Sequence, residues 1–290
     1  DGSAHTVTVG AEDFSASDRE PTSQELEALR QAAMLWSEVF GGDAAVAARF
    51  DVVFFKDFPN AAAVVGTDSV TPAPGFAGSM ADAIQRGDSS ASPSIIYAGD
   101  LAFDFSTALD PLPSGSGVNF VSTIVHEISH AAGIYDSISV GAASSFDLHL
   151  FDAEGRQMQA DSEVIVTTGD GNSVSFGGSG SPFIIDFGLG AGPSGVTFRG
   201  EHVAEVDENG AILLELSHIE FEHGLLSHQY YRNYLFFLEA ELAVLQDLGY
   251  DIDRRRFYGR SIYSDGGTIV NSQGFFARND AGTAYLEGVP

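Results

Sequence analysis

The chain has 290 residues, of which 41 are acidic and 13 are basic, so its formal net charge is −28 at neutral pH. Nucleic acid and anionic membranes would repel so acidic a chain, and neither is expected as a partner. The absence of cysteine excludes disulfides and thiolate metal sites, whereas a hydrophobic content of 44% is enough to build a folded core. The sequence contains no run of about 18 apolar residues, so no membrane-spanning helix is expected. The composition therefore predicts a folded protein suited to a salty extracellular medium.

Helical and β patterns alternate in the N-terminal 140 residues. Residues 21–40 predict a helix, because apolar side chains recur at helical spacing after a Thr-Ser start, and two glycines, Gly41 and Gly42, follow. Residues 51–56 and the run at 95–97 are rich in apolar side chains and predict strands. Together these elements predict a mixed α/β unit for residues 1–140.

The next feature is a run that begins at His126 and reads H-E-x-x-H-x-x-G-x-x-D. Two histidines four positions apart on a helix project from the same face, so His126 and His130 can bind one zinc ion. Glu127 then lies beside the metal and can accept a proton from a zinc-bound water. This combination predicts a zinc-dependent hydrolase of the peptidase class.

The motif is expected on a helix that begins near residues 117–119. Apolar side chains at helical spacing form a face for the core, at Val121, Ile124, Val125, Ile128 and Ala132. The histidines and the glutamate lie on a different stripe, which we expect to face a cleft. Gly133 is suited to end the helix in a left-handed conformation.

The third zinc ligand has two candidates. A catalytic zinc ion takes three protein ligands and keeps a fourth position for water. Asp136 stands ten positions after His126, just past the glycine turn, and completes the motif. His218, in the run L-S-H-I-E, is the rival.

The sequence changes in character after the motif. Residues 145–215 predict a β-rich insertion, because short β runs such as 163–167 and 183–187 alternate with Gly, Ser and Asp turns. Apolar side chains over residues 231–245 then predict a long helix, which Gly249 closes.

Two stretches resemble a known family. The run S-H-I-E-F-E-H-G-L-L-S-H at residues 217–228, followed by L-Q-D-L-G-Y at 245–250, resembles the leishmanolysin branch of the metzincin zinc peptidases. It is closer still to bacterial relatives that are N-terminal passengers of autotransporters. In that branch an insertion separates the H-E-x-x-H-x-x-G helix from the third histidine.

The resemblance implies an α+β, metzincin-like fold with a β-rich insertion between the zinc helix and the third ligand. It implies zinc as the cofactor, with His126, His130 and His218 as ligands and Glu127 as the general base. By this interpretation the peptidase domain covers residues 1–265, of which 216–265 form a C-terminal helical part.

The implied function is that of a secreted or cell-surface zinc endopeptidase acting on a protein or peptide. The last residues, 266–290, then begin a β repeat that continues into the β-helix of an autotransporter, and the segment itself inserts into no membrane.

One departure from the family pattern motivates an alternative. Leu226 stands where the family has the methionine of its turn, and Leu225 precedes it. Leucine conserves the apolar volume of methionine, so an intact site is expected. The alternative is a metzincin-like adhesin or recognition domain with weak or no activity.

Overall fold

Helices and short strands alternate in the computed structural model, which describes residues 22–40, 51–55, 63–66, 94–98, 103–104, 118–135, 143–168, 171–186, 195–207, 209–215, 218–219, 224–227, 237–254 and 258. Among these residues the helices are α1 (Ser23–Phe40), α2 (Phe120–Ala131), α3 (Val203–Val206), α4 (Glu239–Asp247) and a 3-10 helix at Asp147–His149. The strands are β1 (Asp51–Phe55), β2 (Ala63–Gly66), β3 (Ser94–Ala98), β4 (Phe103–Asp104), β5 (Val118–Asn119), β6 (Leu150–Phe151), β7 (Glu163–Thr167), β8 (Ser173–Gly177), β9 (Pro182–Asp186), β10 (Thr197–Phe198), β11 (Ile212–Glu215) and β12 (His218–Ile219). The β repeat predicted for residues 266–290 lies outside the described residues.

Helix α1 confirms the first predicted helix. Its start is a capping box, in which the Thr22 amide donates to Glu25 Oε2 at 2.6 Å and the Glu25 amide donates to Thr22 Oγ1 at 3.3 Å. Its buried face packs on α2, and the indole Nε1 of Trp36 donates to the carbonyl of Val125 at 3.0 Å. This bond satisfies the only polar atom of a fully buried tryptophan.

The strands predicted before the motif are also confirmed, as β1 and β3. They pair in parallel, β2 pairs with β3 in antiparallel orientation, and the sheet order is β1-β3-β2. Strand β5 pairs with β4 and runs directly into α2, which begins at Phe120. The sheet and α1 both lie against α2, so the motif helix is held from more than one side.

The predicted β-rich insertion contains two small sheets. Strands β7 and β9 confirm the two predicted β runs within one residue, and their sheet has the order β8-β7-β9. The second sheet has the order β12-β11-β10-β6. It crosses the predicted boundary at residue 216, because β11 pairs with β12 through Glu215 and His218. The third-ligand candidate His218 therefore belongs to a sheet of the insertion.

The long helix predicted over residues 231–245 is wrong at residues 237 and 238, which are not helical, and its earlier part lies outside the described residues. Helix α4 begins at Glu239, and Leu238 before it is extended, with a ψ of 151°. The Phe237 amide donates to the carbonyl of Tyr258 at 3.2 Å and so does not join a helix. The predicted end is confirmed, because Gly249 has a positive φ of 100°. None of the described helices is long and apolar enough to cross a membrane.

Candidate metal centre

Helix α2 is buried among the described residues. The predicted apolar face is in the core, where each of its five members is at most 3% exposed. The polar stripe is buried too, with exposed fractions of 3% for His126, 8% for Glu127 and 7% for His130. The stripe is thus shielded from bulk solvent, and its prediction as one wall of a cleft stays a prediction.

Three histidines converge on this stripe. The Nε2 atoms of His126 and His130 lie 3.1 Å apart, and their ring centroids are 4.8 Å apart. The ring of His218 lies 5.2 Å from that of His126 and 4.9 Å from that of His130. One nitrogen from each ring lies within 4.8 Å of the others. The structure thus brings together the three histidines of the predicted ligand set, whereas Asp136 lies outside the described residues.

The hydrogen bonds of the two helix histidines fix their tautomers. Nδ1 of His126 lies 2.8 Å from the carbonyl oxygen of Leu225, and Nδ1 of His130 lies 2.8 Å from that of Ile134. A carbonyl oxygen only accepts, so each Nδ1 must carry the hydrogen. Each Nε2 of a neutral ring is then a lone-pair acceptor, and the two acceptors face each other.

Two facing acceptors repel each other unless a metal ion or a proton lies between or beside them. Tetrahedral zinc with Zn–N bonds of about 2.0–2.1 Å separates two ligand nitrogens by about 3.3 Å, close to the 3.1 Å observed. A proton shared by His126 and His130 would also satisfy this pair. However, a shared proton needs no third imidazole, and His218 is present. Metal-binding histidines also usually donate their other ring N–H to a carbonyl or carboxylate, as His126 and His130 do. The donor set therefore fits a zinc ion.

The glycine after α2 orients His130. Gly133 has a φ of 112°, and its amide donates to the carbonyl of His130 at 3.0 Å, while the Ile134 amide donates to that of Ser129 at 3.2 Å. This pair of bonds is a Schellman motif, which confirms the predicted helix end. The motif turns the chain back, so that the Ile134 carbonyl can accept from the His130 ring.

Glu127 is a buried carboxyl beside the histidines in sequence. Burial raises the pKa of Glu127 to about 8. A divalent cation held by the histidines would oppose this effect, because a nearby positive charge favours the carboxylate. A carboxyl whose pKa lies near neutrality can both accept and return a proton.

The predicted turn lies directly against the motif helix. Leu225 and Leu226 have no exposed surface, and the Leu225 carbonyl accepts from His126. The Leu226 carbonyl accepts from the amide of Ile219, the residue after His218, at 3.1 Å. Leu226 is therefore buried at this turn, and the turn's backbone contacts segments that carry two of the three histidines.

Two supporting residues were missed by the sequence analysis. Glu241 is fully buried and accepts backbone hydrogen bonds from the turn, and Tyr250 donates its hydroxyl to the Ala132 carbonyl at 2.8 Å. The signal for Glu241 was its place three residues after Leu238, where a glutamate often accepts from the first amide of a helix. No local pattern predicts the Tyr250 contact, because it joins residues 118 positions apart.

No protein-family model matches the chain, and no curated protein or solved structure is significantly similar to it. The interpretation of the site consequently depends on its own geometry and on the motifs.

Replacing Tyr250 by phenylalanine should destabilise the protein by about 1–3 kcal/mol, because it removes a buried donor to the carbonyl of Ala132, the first residue after α2. Urea unfolding monitored by circular dichroism measures the change. An unfolding midpoint equal to that of the parent would show that this hydrogen bond contributes nothing to stability.

Proposed function

We propose that the chain is a secreted or cell-surface zinc endopeptidase with an α+β, metzincin-like peptidase domain. The observation that carries this proposal is the convergence of His126, His130 and His218, two of them with Nδ1 engaged by a backbone carbonyl. Imidazole is a common zinc ligand, and the chain has no cysteine to form a thiolate site.

The number of ligands favours a catalytic ion over a structural one. Structural zinc sites are closed by four protein ligands, whereas catalytic sites have three and leave one position open. Within the part of the chain that the structure describes, the cluster has three members. A three-histidine centre of this kind supplies a Lewis acid that lowers the pKa of a bound water to about 7.

The chain's own residues would divide the remaining work. Glu127 follows His126 on α2 and is shielded from solvent, so it would accept the proton of the attacking water and return it to the leaving amine. The Leu225 and Ile134 carbonyls would hold the His126 and His130 rings in the tautomer that presents Nε2.

The proposed substrate is a protein or peptide, on the strength of the motifs that resemble the leishmanolysin branch. The charge of −28 argues against nucleic acid as a partner. The same resemblance leads us to propose that residues 266–290 begin the continuation into an autotransporter β-helix and that the domain acts outside the cell or at a bacterial surface.

A second candidate function is an adhesin or recognition domain built on the same scaffold. The observation that favours it is Leu226, which fills the buried position where the family has methionine. Such a domain would keep the zinc ion as a structural link and cleave nothing.

Zinc binding and cleavage together test the two candidates. We expect the protein to bind one zinc ion per chain and to cleave denatured proteins or a peptide library. A chelator should abolish cleavage, and added zinc should restore it. One equivalent of bound zinc without cleavage of any substrate would favour the adhesin, and failure to bind zinc would contradict the metal centre itself.

A further inference from the structure

The turn at residues 224–227 joins the two parts of the metal centre. Its Leu225 carbonyl accepts from the His126 ring, and its Leu226 carbonyl accepts from the Ile219 amide in the strand that begins with His218. All four residues of the turn are buried. Two of the three histidines therefore depend, directly or through one residue, on where this turn lies.

A single carboxylate holds the turn from its other side. Glu241 Oε1 accepts from the Leu226 amide at 2.7 Å. Its Oε2 accepts from the Leu238 amide, also at 2.7 Å. Leu226 thus donates its N–H to Glu241, while the C=O groups of Leu225 and Leu226 accept from the segments that carry the histidines.

The burial of Glu241 shows that this arrangement is specific. The residue has no exposed surface, and a buried carboxylate is costly unless hydrogen bonds satisfy it. Burial raises the pKa of Glu241 to about 8, and the backbone amides that donate to it oppose that rise. An apolar residue would fill the same space without this cost, but it would leave the Leu226 and Leu238 amides without their acceptor.

We propose that Glu241 is a positioning residue of the metal centre: its carboxylate fixes the turn at residues 224–227, and the turn orients His126 and the strand of His218. This inference rests on the metal centre proposed above and extends it to a residue that touches none of the three histidines through a described contact. Removing a residue that orients a metal ligand through hydrogen bonds commonly weakens metal binding about 10- to 100-fold.

Glu241→Gln is the informative substitution, because it conserves shape and removes one acceptor. The two carboxylate oxygens accept from different segments, Oε1 from the turn and Oε2 from the start of α4. A carboxamide has one oxygen and one NH2 group, so in either orientation an N–H would face a donor.

Glu25→Gln is the matched control. Glu25 is also buried, and its carboxylate also accepts the first amide of a helix, that of Thr22 in α1. Its carboxylate caps the start of α1 rather than the helix next to the turn, so its substitution should lower stability without changing the metal centre.

The test compares the parent, E241Q and E25Q by zinc affinity in chelator competition and by the absorption spectrum of the Co²⁺-substituted protein. We expect E241Q to bind zinc about 10- to 100-fold more weakly and to have an altered Co²⁺ spectrum. E25Q should keep the parent's zinc affinity and spectrum even if its melting temperature falls as far as that of E241Q. Parental affinity and spectrum in E241Q would overturn the inference.

If E241Q does not fold, E241D is tested by the same measurements, because its shorter carboxylate cannot reach the turn and the helix start together.

A second readout separates this inference from the metal centre itself. In the parent without zinc, the His126 Nδ1–H bonded to the Leu225 carbonyl should give a slowly exchanging proton resonance, which E241Q should broaden or lose. If the parent binds no zinc, the proposed function fails, and this resonance alone tests Glu241. An unchanged resonance in E241Q would then contradict the positioning role.

Discussion

Glu127→Ala is expected to retain one zinc ion per chain and to lose hydrolysis by at least about 100-fold, the lower end of what a general base contributes. The residue is not a member of the three-histidine cluster, so its removal should leave the ligands in place. It is nevertheless buried and follows His126 on α2, and among the described residues no carboxylate belongs to the cluster. Zinc content by atomic emission and initial rates on a peptide substrate measure the two effects.

Glu127→Gln is the companion variant, because it fills the same volume and removes only the ability to accept a proton as a carboxylate. Both variants should be inactive if the carboxylate acts chemically. Activity in Glu127→Gln but not in Glu127→Ala would mean that the side chain acts by packing. If either variant cleaves as fast as the parent, Glu127 is not the general base.

His218→Ala should weaken zinc binding by more than about 100-fold, beyond the usual effect of residues that only support a ligand. The ring of His218 lies within 5.2 Å of those of His126 and His130, and removing it leaves two nitrogens for an ion that takes three or four. Asp136→Ala should bind zinc as the parent does. Chelator competition at fixed pH measures both.

His149→Ala is the control for removing a histidine from the insertion. Its Nδ1 lies 3.0 Å from the Arg199 carbonyl, and it is not a member of the cluster. Its zinc affinity should equal that of the parent. The assignment of the third ligand is wrong if His218→Ala keeps full zinc while Asp136→Ala loses it.

Local pattern predicted the elements that carry the motif but not the surroundings of the motif helix. The spacing showed which side chains share a stripe of α2, but it did not show that Ser122, Thr123 and Ser129 are buried. The Ser129 hydroxyl donates to the carbonyl of His126 in the same helix. Serine can satisfy its hydroxyl within one turn of helix, so its presence does not report exposure.

The start of α4 could not be predicted for a related reason. The apolar spacing continues through Leu238, and spacing alone extends the helix across it. The helix instead starts after Leu238, because the Glu241 carboxylate accepts a hydrogen bond from the Leu238 amide and caps the helix there. The same carboxylate also accepts from the turn. The contact between His126 and Leu225 spans 99 positions, and periodicity contains no information over that separation. Only the family resemblance predicted that His218 would lie next to His126 and His130 of α2.

The separation of the histidines along the chain gives the proposed ion a role in folding. A chain without cysteine has no covalent crosslink. Zinc held by His130 and His218 would close a loop of roughly 90 residues, and closing a loop of that length by a disulfide removes about 4–5 kcal/mol of chain entropy from the unfolded state. Because the unfolded chain has no preformed site, the binding free energy would appear as folding free energy. The ion would then fasten the insertion to the motif helix and so take the place of the disulfides that this chain lacks.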